Sequence, residues 1–169
     1  MIELIGLVCK DQYYDHLDLD LSKTCEWHGD ALQVPAWFPM MSGLNEDYIG
    51  CIKFKGHDIK KINMKQKKDF RRHLGFVFDW GGLINNKSLK ENIYLPLEFH
   101  SLLSKRIKKE IDQSFQNAGY IEYLSMRPCY VPIYVQKFTS ILRGIFSGVS
   151  CLFIELSLIH ISEPTRRHL

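Results

Sequence analysis

The sequence predicts an α/β domain, because two kinds of hydrophobic pattern alternate along the chain. Apolar stretches of strand length, such as residues 74–78, are separated by segments in which apolar residues recur about once per helical turn. The continuous apolar run at residues 151–154 is typical of a central parallel strand that is buried on both faces. Strands and helices that alternate in this way favour an α/β fold.

The first part of the chain is expected to form strands. Residues 2–8 predict an edge strand, and residues 14–21 alternate leucine with aspartate in the period-2 pattern of a half-exposed strand. Residues 24–39 have no clean period, and their two prolines exclude a long helix. In this segment Trp27, Trp37 and Phe38 are expected to fill the core.

The middle of the chain predicts a strand, a turn and a basic helix. Residues 50–59 indicate a strand that turns at Gly56. Residues 60–73 carry seven lysines and arginines and predict a solvent-exposed helix, with nucleic-acid or lipid-headgroup binding as the alternative.

Three further helices follow from spacing and capping signals. Ser88 and Glu91 have the spacing of a capping box at the start of a helix. Residues 102–118 predict a second helix that Gly119 ends, and residues 135–146 predict a third.

Composition narrows the class of protein. A chain of 169 residues suffices for one domain, and a net charge of +3 is too small for a typical nucleic-acid binder. The five cysteines and seven histidines show no metal-site spacing, and the cysteine count predicts reduced thiols in the cytosol. The N-terminus lacks the basic residues of a signal peptide, and no apolar run reaches the ~20 residues that span a bilayer, so we expect a soluble chain.

Three stretches together resemble the ATP-binding subunits of ABC transporters. The first runs from Ser42-Gly43-Leu44 to Asp58-Ile59, and the third runs from Ala118-Gly119-Tyr120 through Arg127-Pro128 and Arg143 to Glu155. The second is the most specific: it contains Arg71-Arg72-His73-Leu74-Gly75-Phe76-Val77-Phe78, then Gly82-Leu83, Glu91-Asn92-Ile93 and Leu95-Pro96-Leu97. The Phe78-x-x-Gly81-x-Leu83 pattern around Asp79 and the Leu95-Pro96-Leu97 run resemble the Mce/Mla-like lipid-transport branch.

The resemblance implies a P-loop-NTPase-like ABC ATPase domain, incomplete, with a helical subdomain insertion. Residues 1–155 would form this partial nucleotide-binding domain, with the helical subdomain at about 85–135. ATP and Mg²⁺ are the cofactors expected of the family. The expected partners are a transmembrane permease and a second ATP-binding subunit, identical or a sister, with no nucleic acid. The expected location is the cytoplasmic side of the membrane, through the permease.

The phosphate loop that the family requires is missing from the sequence. The family's phosphate loop has the motif Gly-x-x-x-x-Gly-Lys-[Ser/Thr], in which backbone amides and the lysine hold the phosphates and the hydroxyl holds Mg²⁺. This motif does not occur in the chain. Counting back from Gly43 places Val34 at the lysine position and Pro35 at the hydroxyl position. The sequence therefore predicts that the phosphate site is lost.

Other family positions are also changed. Asp79 stands at the Q-loop glutamine and Glu155 at the Walker B aspartate, and both carboxylates are weak candidates for Mg²⁺. Val131-Pro132-Ile133-Tyr134 replaces the Leu-Ser-Gly-Gly signature. Tyr13 or Tyr14 is a candidate for stacking on adenine, with an ordinary strand tyrosine as the alternative.

The sequence supports three readings of function. We expect a degenerate subunit that does not hydrolyse ATP; the alternatives are an active ATPase motor for lipid or small-molecule transport and a non-functional gene fragment. Residues 156–169 resemble the translation of a transposase-type sequencing-library adaptor, so we expect that this segment is not native sequence.

Overall fold

The computed structural model describes the backbone of residues 2–9, 12–19 and 34–155, and side chains from Phe38 to Glu155. The strands are β1 (Ile2–Cys9), β2 (Gln12–Leu19), β3 (Ile49–Phe54), β4 (His57–Asp58), β5 (Leu74–Val77) and β6 (Cys151–Ile154). The helices are α1 (Val34–Met41), α2 (Met64–Arg72), α3 (Leu89–Phe99), α4 (Lys105–Asn117) and α5 (Ile133–Phe146). Short 3₁₀ turns lie at Ile121–Tyr123 and Pro128–Tyr130. The suspected adaptor tail, residues 156–169, falls outside the described residues.

Four strands form an antiparallel sheet in the order β2-β1-β3-β4. The prediction that residues 2–8 form an edge strand is wrong, because β1 has a neighbour on each side. Leu4, for example, lies opposite Leu17 of β2 and Ile52 of β3. The predicted turn at Gly56 is confirmed: Gly56 has a φ of +79° between β3 and β4, a conformation that suits glycine.

A second sheet contains the parallel pair β5 and β6. The parallel pairing predicted for residues 151–154 is confirmed, but their burial on both faces is wrong, since Cys151 to Phe153 are only partly buried and Ile154 is 43% exposed. Among the described residues β6 has one neighbouring strand, β5, so its other edge is not covered there. Leu152 packs tightly between two glycines: a Cβ at Gly75 or Gly144 would lie 2.7 or 2.8 Å from its Cδ1.

Helix α2, the basic helix predicted to be solvent-exposed, also contacts the rest of the fold through Phe70 and Arg71. Phe70 is buried in a hydrophobic cluster with Met40 of α1, Ile52 of β3 and Leu74 of β5. Arg71 donates hydrogen bonds to the carbonyls of Ser42 and Gly43, at 2.9 and 2.8 Å, just after the C-terminus of α1. A cation at this end of a helix stabilises it, because the last carbonyls lack partners within the helix.

Helices α3, α4 and α5 enclose a second hydrophobic cluster, which includes Leu89, Ile93, Ile111, Phe115 and Val135. Two sequence predictions are confirmed at the ends of its helices. Ser88 and Glu91 form the capping box of α3, and Gly119, with a φ of +75°, follows the last turn of α4. The cluster continues into α5 as far as Leu142; the subdomain boundary at about 85–135 stays a prediction.

Candidate functional site

The first element of the candidate site is the carboxylate pair, Asp79 and Glu155. Glu155 directly follows β6 and Asp79 lies two residues beyond β5, so the parallel pairing brings both to the carboxyl edge of this sheet. The backbone N–H of Asp79 donates a 2.9 Å hydrogen bond to Glu155 Oε2. In open α/β sheets, ligands bind outside this edge. The structure therefore brings together the two residues that sequence analysis placed at the Q-loop and Walker B positions.

A lysine completes the group of charges. Lys137, in the second turn of α5, donates a hydrogen bond to Asp79 Oδ1 and forms an ion pair with it. The two side chains are 25% and 19% exposed, so this contact is better shielded from water than a typical surface pair. Sequence analysis did not predict Lys137 as part of the site, because 58 residues separate it from Asp79.

Helix α5 also holds the loop that follows Asp79. Ser140 donates to the carbonyl of Gly81, and Arg143 Nη2 donates to the carbonyl of Gly82 at 3.1 Å. Burial lowers the pKa of the Arg143 guanidinium, since desolvation disfavours the charged form. The two glycines have φ values of +88° and +62°, which most side chains avoid. Lys137, Ser140 and Arg143 are spaced three residues apart, so one side of α5 fixes residues 79–82.

The predicted signature positions lie at the start of α5. Pro132 is the N-cap residue, and Ile133 and Tyr134 are the first two helical residues, about half exposed. Val131 is buried, and its carbonyl accepts a 3.0 Å hydrogen bond from Gln136 Nε2. A helix N-terminus presents unpaired N–H groups that suit an anion, but none of these four residues is a serine or a glycine.

The predicted phosphate-loop positions also lie at a helix start. Val34 and Pro35 are the first two residues of α1, whereas the loop before them, residues 28–33, lies outside the described residues. Tyr13 and Tyr14 lie in β2; their side chains are not among those described. Phe38 is buried, as predicted, and its ring packs 5.0 Å from that of Phe78, so α1 lies against the segment that leads to Asp79.

A buried amide organises the start of the helical region and was also missed. Asn92 is 1% exposed, and its Oδ1 accepts a 2.7 Å hydrogen bond from the Ile84 N–H. Its Nδ2 donates to the carbonyls of Ile84, Lys87 and Ser88. The signal in the sequence was Asn92 itself, a polar residue directly before the apolar Ile93 inside a predicted helix. Only the fold shows that it ties the loop 84–88 to α3.

Comparison with known proteins gives sequence relatives of one kind. The chain is 30% identical over 88 residues to the methionine import ATP-binding protein MetN of Clostridioides difficile. This alignment covers 52% of this chain and 27% of that protein. It is 27% identical over 127 residues to the lipoprotein-releasing system ATP-binding protein LolD of Hahella chejuensis, which covers 75% of this chain and 52% of that protein. No protein-family model matches the chain.

Solved structures give the same fold. The ATP-binding cassette MJ0796, in a dimeric post-hydrolysis state with ADP and Pi, superposes with a TM-score of 0.71 at 15% identity, covering 91% of this chain and 73% of that chain. An ATP-binding subunit of an ABC transporter superposes with a TM-score of 0.64 at 14% identity, covering 90% of this chain and 65% of that chain.

The chain is similar in sequence to ABC-transporter ATP-binding subunits. Its fold is that of their ATPase domain, a P-loop NTPase fold, as the resemblance implied. The chain spans about half or less of the length of the curated relatives named above. Among the helices that the structure describes, none is long and apolar enough to cross a bilayer.

Proposed function

We propose that this chain is a degenerate ABC ATP-binding subunit, which does not hydrolyse ATP and acts through a permease or a sister ATP-binding subunit. The observation that carries the proposal is the state of the carboxylate pair. Asp79 is paired with the Lys137 ammonium, and one Glu155 oxygen accepts the Asp79 amide. Carboxylates are chemically suited to Mg²⁺, but these two are engaged by groups of the protein itself.

The helix starts support the same proposal. Hydrolysis in P-loop enzymes requires a lysine on the phosphates and a hydroxyl on Mg²⁺. Helix α1 begins instead with Val34 and Pro35, and proline has no N–H to offer a phosphate. The start of α5 has Ile133 and Tyr134 at positions where the family has the glycines of its signature. The residues present therefore fit a magnesium nucleotide poorly, and we derive no catalytic step.

The proposed partners and location follow the relatives. ABC ATP-binding subunits pair with one another and dock on a transmembrane permease, which would hold this chain at the cytoplasmic face of a membrane. The names of the relatives cover methionine import, lipoprotein release and bacitracin export, so they favour no single cargo. The Phe78-x-x-Gly81-x-Leu83 pattern and the Leu95-Pro96-Leu97 run are the reason to propose the lipid-transport branch.

The test is a titration of the purified chain with radiolabelled Mg-ATP, together with a phosphate-release assay. We expect no saturable binding up to about 1 mM nucleotide, the range of weak affinity, and no phosphate release. A hydrolysing ABC subunit serves as the positive control. Micromolar affinity with turnover that Glu155→Gln abolishes would favour the active motor instead.

The role as a subunit has a separate test. We expect the chain to copurify with a transmembrane permease and a sister ATP-binding subunit when the three are coexpressed. If a soluble, folded chain associates with neither, the subunit role is excluded whatever the nucleotide titration shows. If the chain does not fold when expressed, the reading as a non-functional fragment is favoured.

A further inference from the structure

The charged groups around Asp79 and Glu155 indicate which cation balances the negative charge at this site. The backbone N–H of Asp79 donates a 2.9 Å hydrogen bond to Glu155 Oε2, so the Glu155 carboxylate lies against the backbone of Asp79. The Lys137 ammonium contacts Asp79 directly. A cation in contact with a carboxylate lowers the free energy of its ionised form.

An ammonium and a divalent metal ion compete for such a position. A divalent cation binds by gathering carboxylate oxygens around itself, and Lys137 already engages Asp79 Oδ1. A metal ion entering here would also be repelled by the ammonium. The partial burial of Lys137 and Asp79, at 25% and 19% exposure, limits the screening of this repulsion by water and salt.

The surroundings of Lys137 keep it in place. Ser140 and Arg143 lie three and six residues after Lys137 in α5. They donate hydrogen bonds to the carbonyls of Gly81 and Gly82. They fix the backbone of the loop that carries Asp79 relative to the helix that carries Lys137. These bonds therefore hold the part of α5 that carries Lys137 next to the loop that carries Asp79, and the ion pair joins the two side chains.

We propose that Lys137 is the built-in cation of the carboxylate pair and takes the place that a divalent metal ion would occupy there. The pair then keeps its geometry without metal. This inference deepens the proposed function at the same site. Its test uses a divalent metal ion without nucleotide, so it can fail while the nucleotide result stands, and the reverse also holds.

The test is a titration of the full chain with Mn²⁺, followed by electron paramagnetic resonance of the free ion. Wild type is expected to show no saturable binding up to about 1 mM, whereas Lys137→Met should bind Mn²⁺ at least about tenfold more tightly. Lys137→Met/Asp79→Asn should lose this gain, and Lys137→Arg, which keeps the charge, should behave like wild type. If folded Lys137→Met binds Mn²⁺ no more tightly than wild type, the proposal is overturned.

A second measurement applies if Lys137→Met does not fold. The thermal midpoint of wild type is compared in about 10 mM MgCl₂ and in NaCl of equal ionic strength, since a ligand of the folded state raises the midpoint. Equal midpoints support the built-in cation. A midpoint that Mg²⁺ raises in wild type but not in Asp79→Asn would show a metal site at the pair and overturn the proposal.

Discussion

The backbone N–H of Asp79 donates a 2.9 Å hydrogen bond to Oε2 of Glu155, although the two residues are 76 positions apart in the chain. Because each residue follows one of two paired parallel strands, this bond closes the carboxyl edge of the β5–β6 sheet. The same peptide segment continues into the loop held by α5. The bond therefore joins the end of β6 to residues 79–82, the loop that α5 also holds through Ser140 and Arg143.

Removing the acceptor should destabilise this edge. Glu155→Ala leaves the partly buried Asp79 amide without its partner, and a hydrogen bond to a charged group contributes about 1.5–3 kcal/mol. Glu155→Gln keeps one carbonyl oxygen, so its loss should be smaller, about 1 kcal/mol. Urea denaturation gives both free energies of unfolding. Equal losses for the two variants would mean that the hydrogen bond is not what stabilises the edge.

Asn92 should be among the most sensitive positions of the helical region. Asn92→Leu has a similar volume but removes the buried side chain that accepts from the Ile84 amide and donates to the Lys87 carbonyl. We expect a loss of about 2–3 kcal/mol in the free energy of unfolding, since unpaired buried polar groups are costly. The control is Asn86→Leu in the same loop, an exposed position, which should stay within about 0.5 kcal/mol of wild type.

The capping box of α3 should give a stability term that depends on pH. The backbone N–H of Ser88 donates to Glu91 and lowers the pKa of this carboxyl from its ordinary value of 4.5. A pKa lowered by folding means that the contribution is present above the ordinary value and is lost as pH falls through the lowered one.

Two variants test the capping box. Ser88→Ala should cost about 1 kcal/mol at neutral pH, because Ser88 Oγ no longer accepts the Glu91 N–H. The difference in unfolding free energy between wild type and Glu91→Ala should shrink as pH falls below the ordinary glutamate value. Glu91→Gln, which cannot ionise, serves as the reference, and a wild-type advantage over it that is unchanged in acid would contradict the assignment.

The hydroxyl of Ser140 should restrain the loop at residues 79–82. Ser140→Ala removes the donor to the Gly81 carbonyl, which is worth about 1 kcal/mol, so the loop amides should exchange with solvent about fivefold faster. Thr139→Val removes a comparable buried bond, from Thr139 Oγ1 to the Val135 carbonyl of the same helix. Hydrogen exchange read by mass spectrometry should show faster loop exchange for Ser140→Ala only.

Several local features of this chain could be predicted from the sequence. The Ser88–Glu91 capping box, the turn at Gly56 and the end of α4 at Gly119 each depend on neighbouring residues, whose spacing is visible in the chain. Helix α4 begins at Lys105, later than the predicted Leu102, because Ser104 caps it. The pattern of strand-forming residues predicted the length of β1 but not its neighbouring strands. A period of two indicates which face of a strand is buried, and it does not indicate which strands pair with its edges.

The sequence by itself therefore determined the α/β class, the approximate positions of most helices and strands though not of α1, and the resemblance to ABC ATP-binding subunits. It also placed Asp79 and Glu155 at related family positions. Only the tertiary structure decided that Lys137 reaches Asp79, that Ser140 and Arg143 fasten the following loop, and that β1 lies inside its sheet. The physical reason is distance along the chain: a cap or a turn is set by residues within a few positions, whereas these contacts form only where packing brings remote segments together.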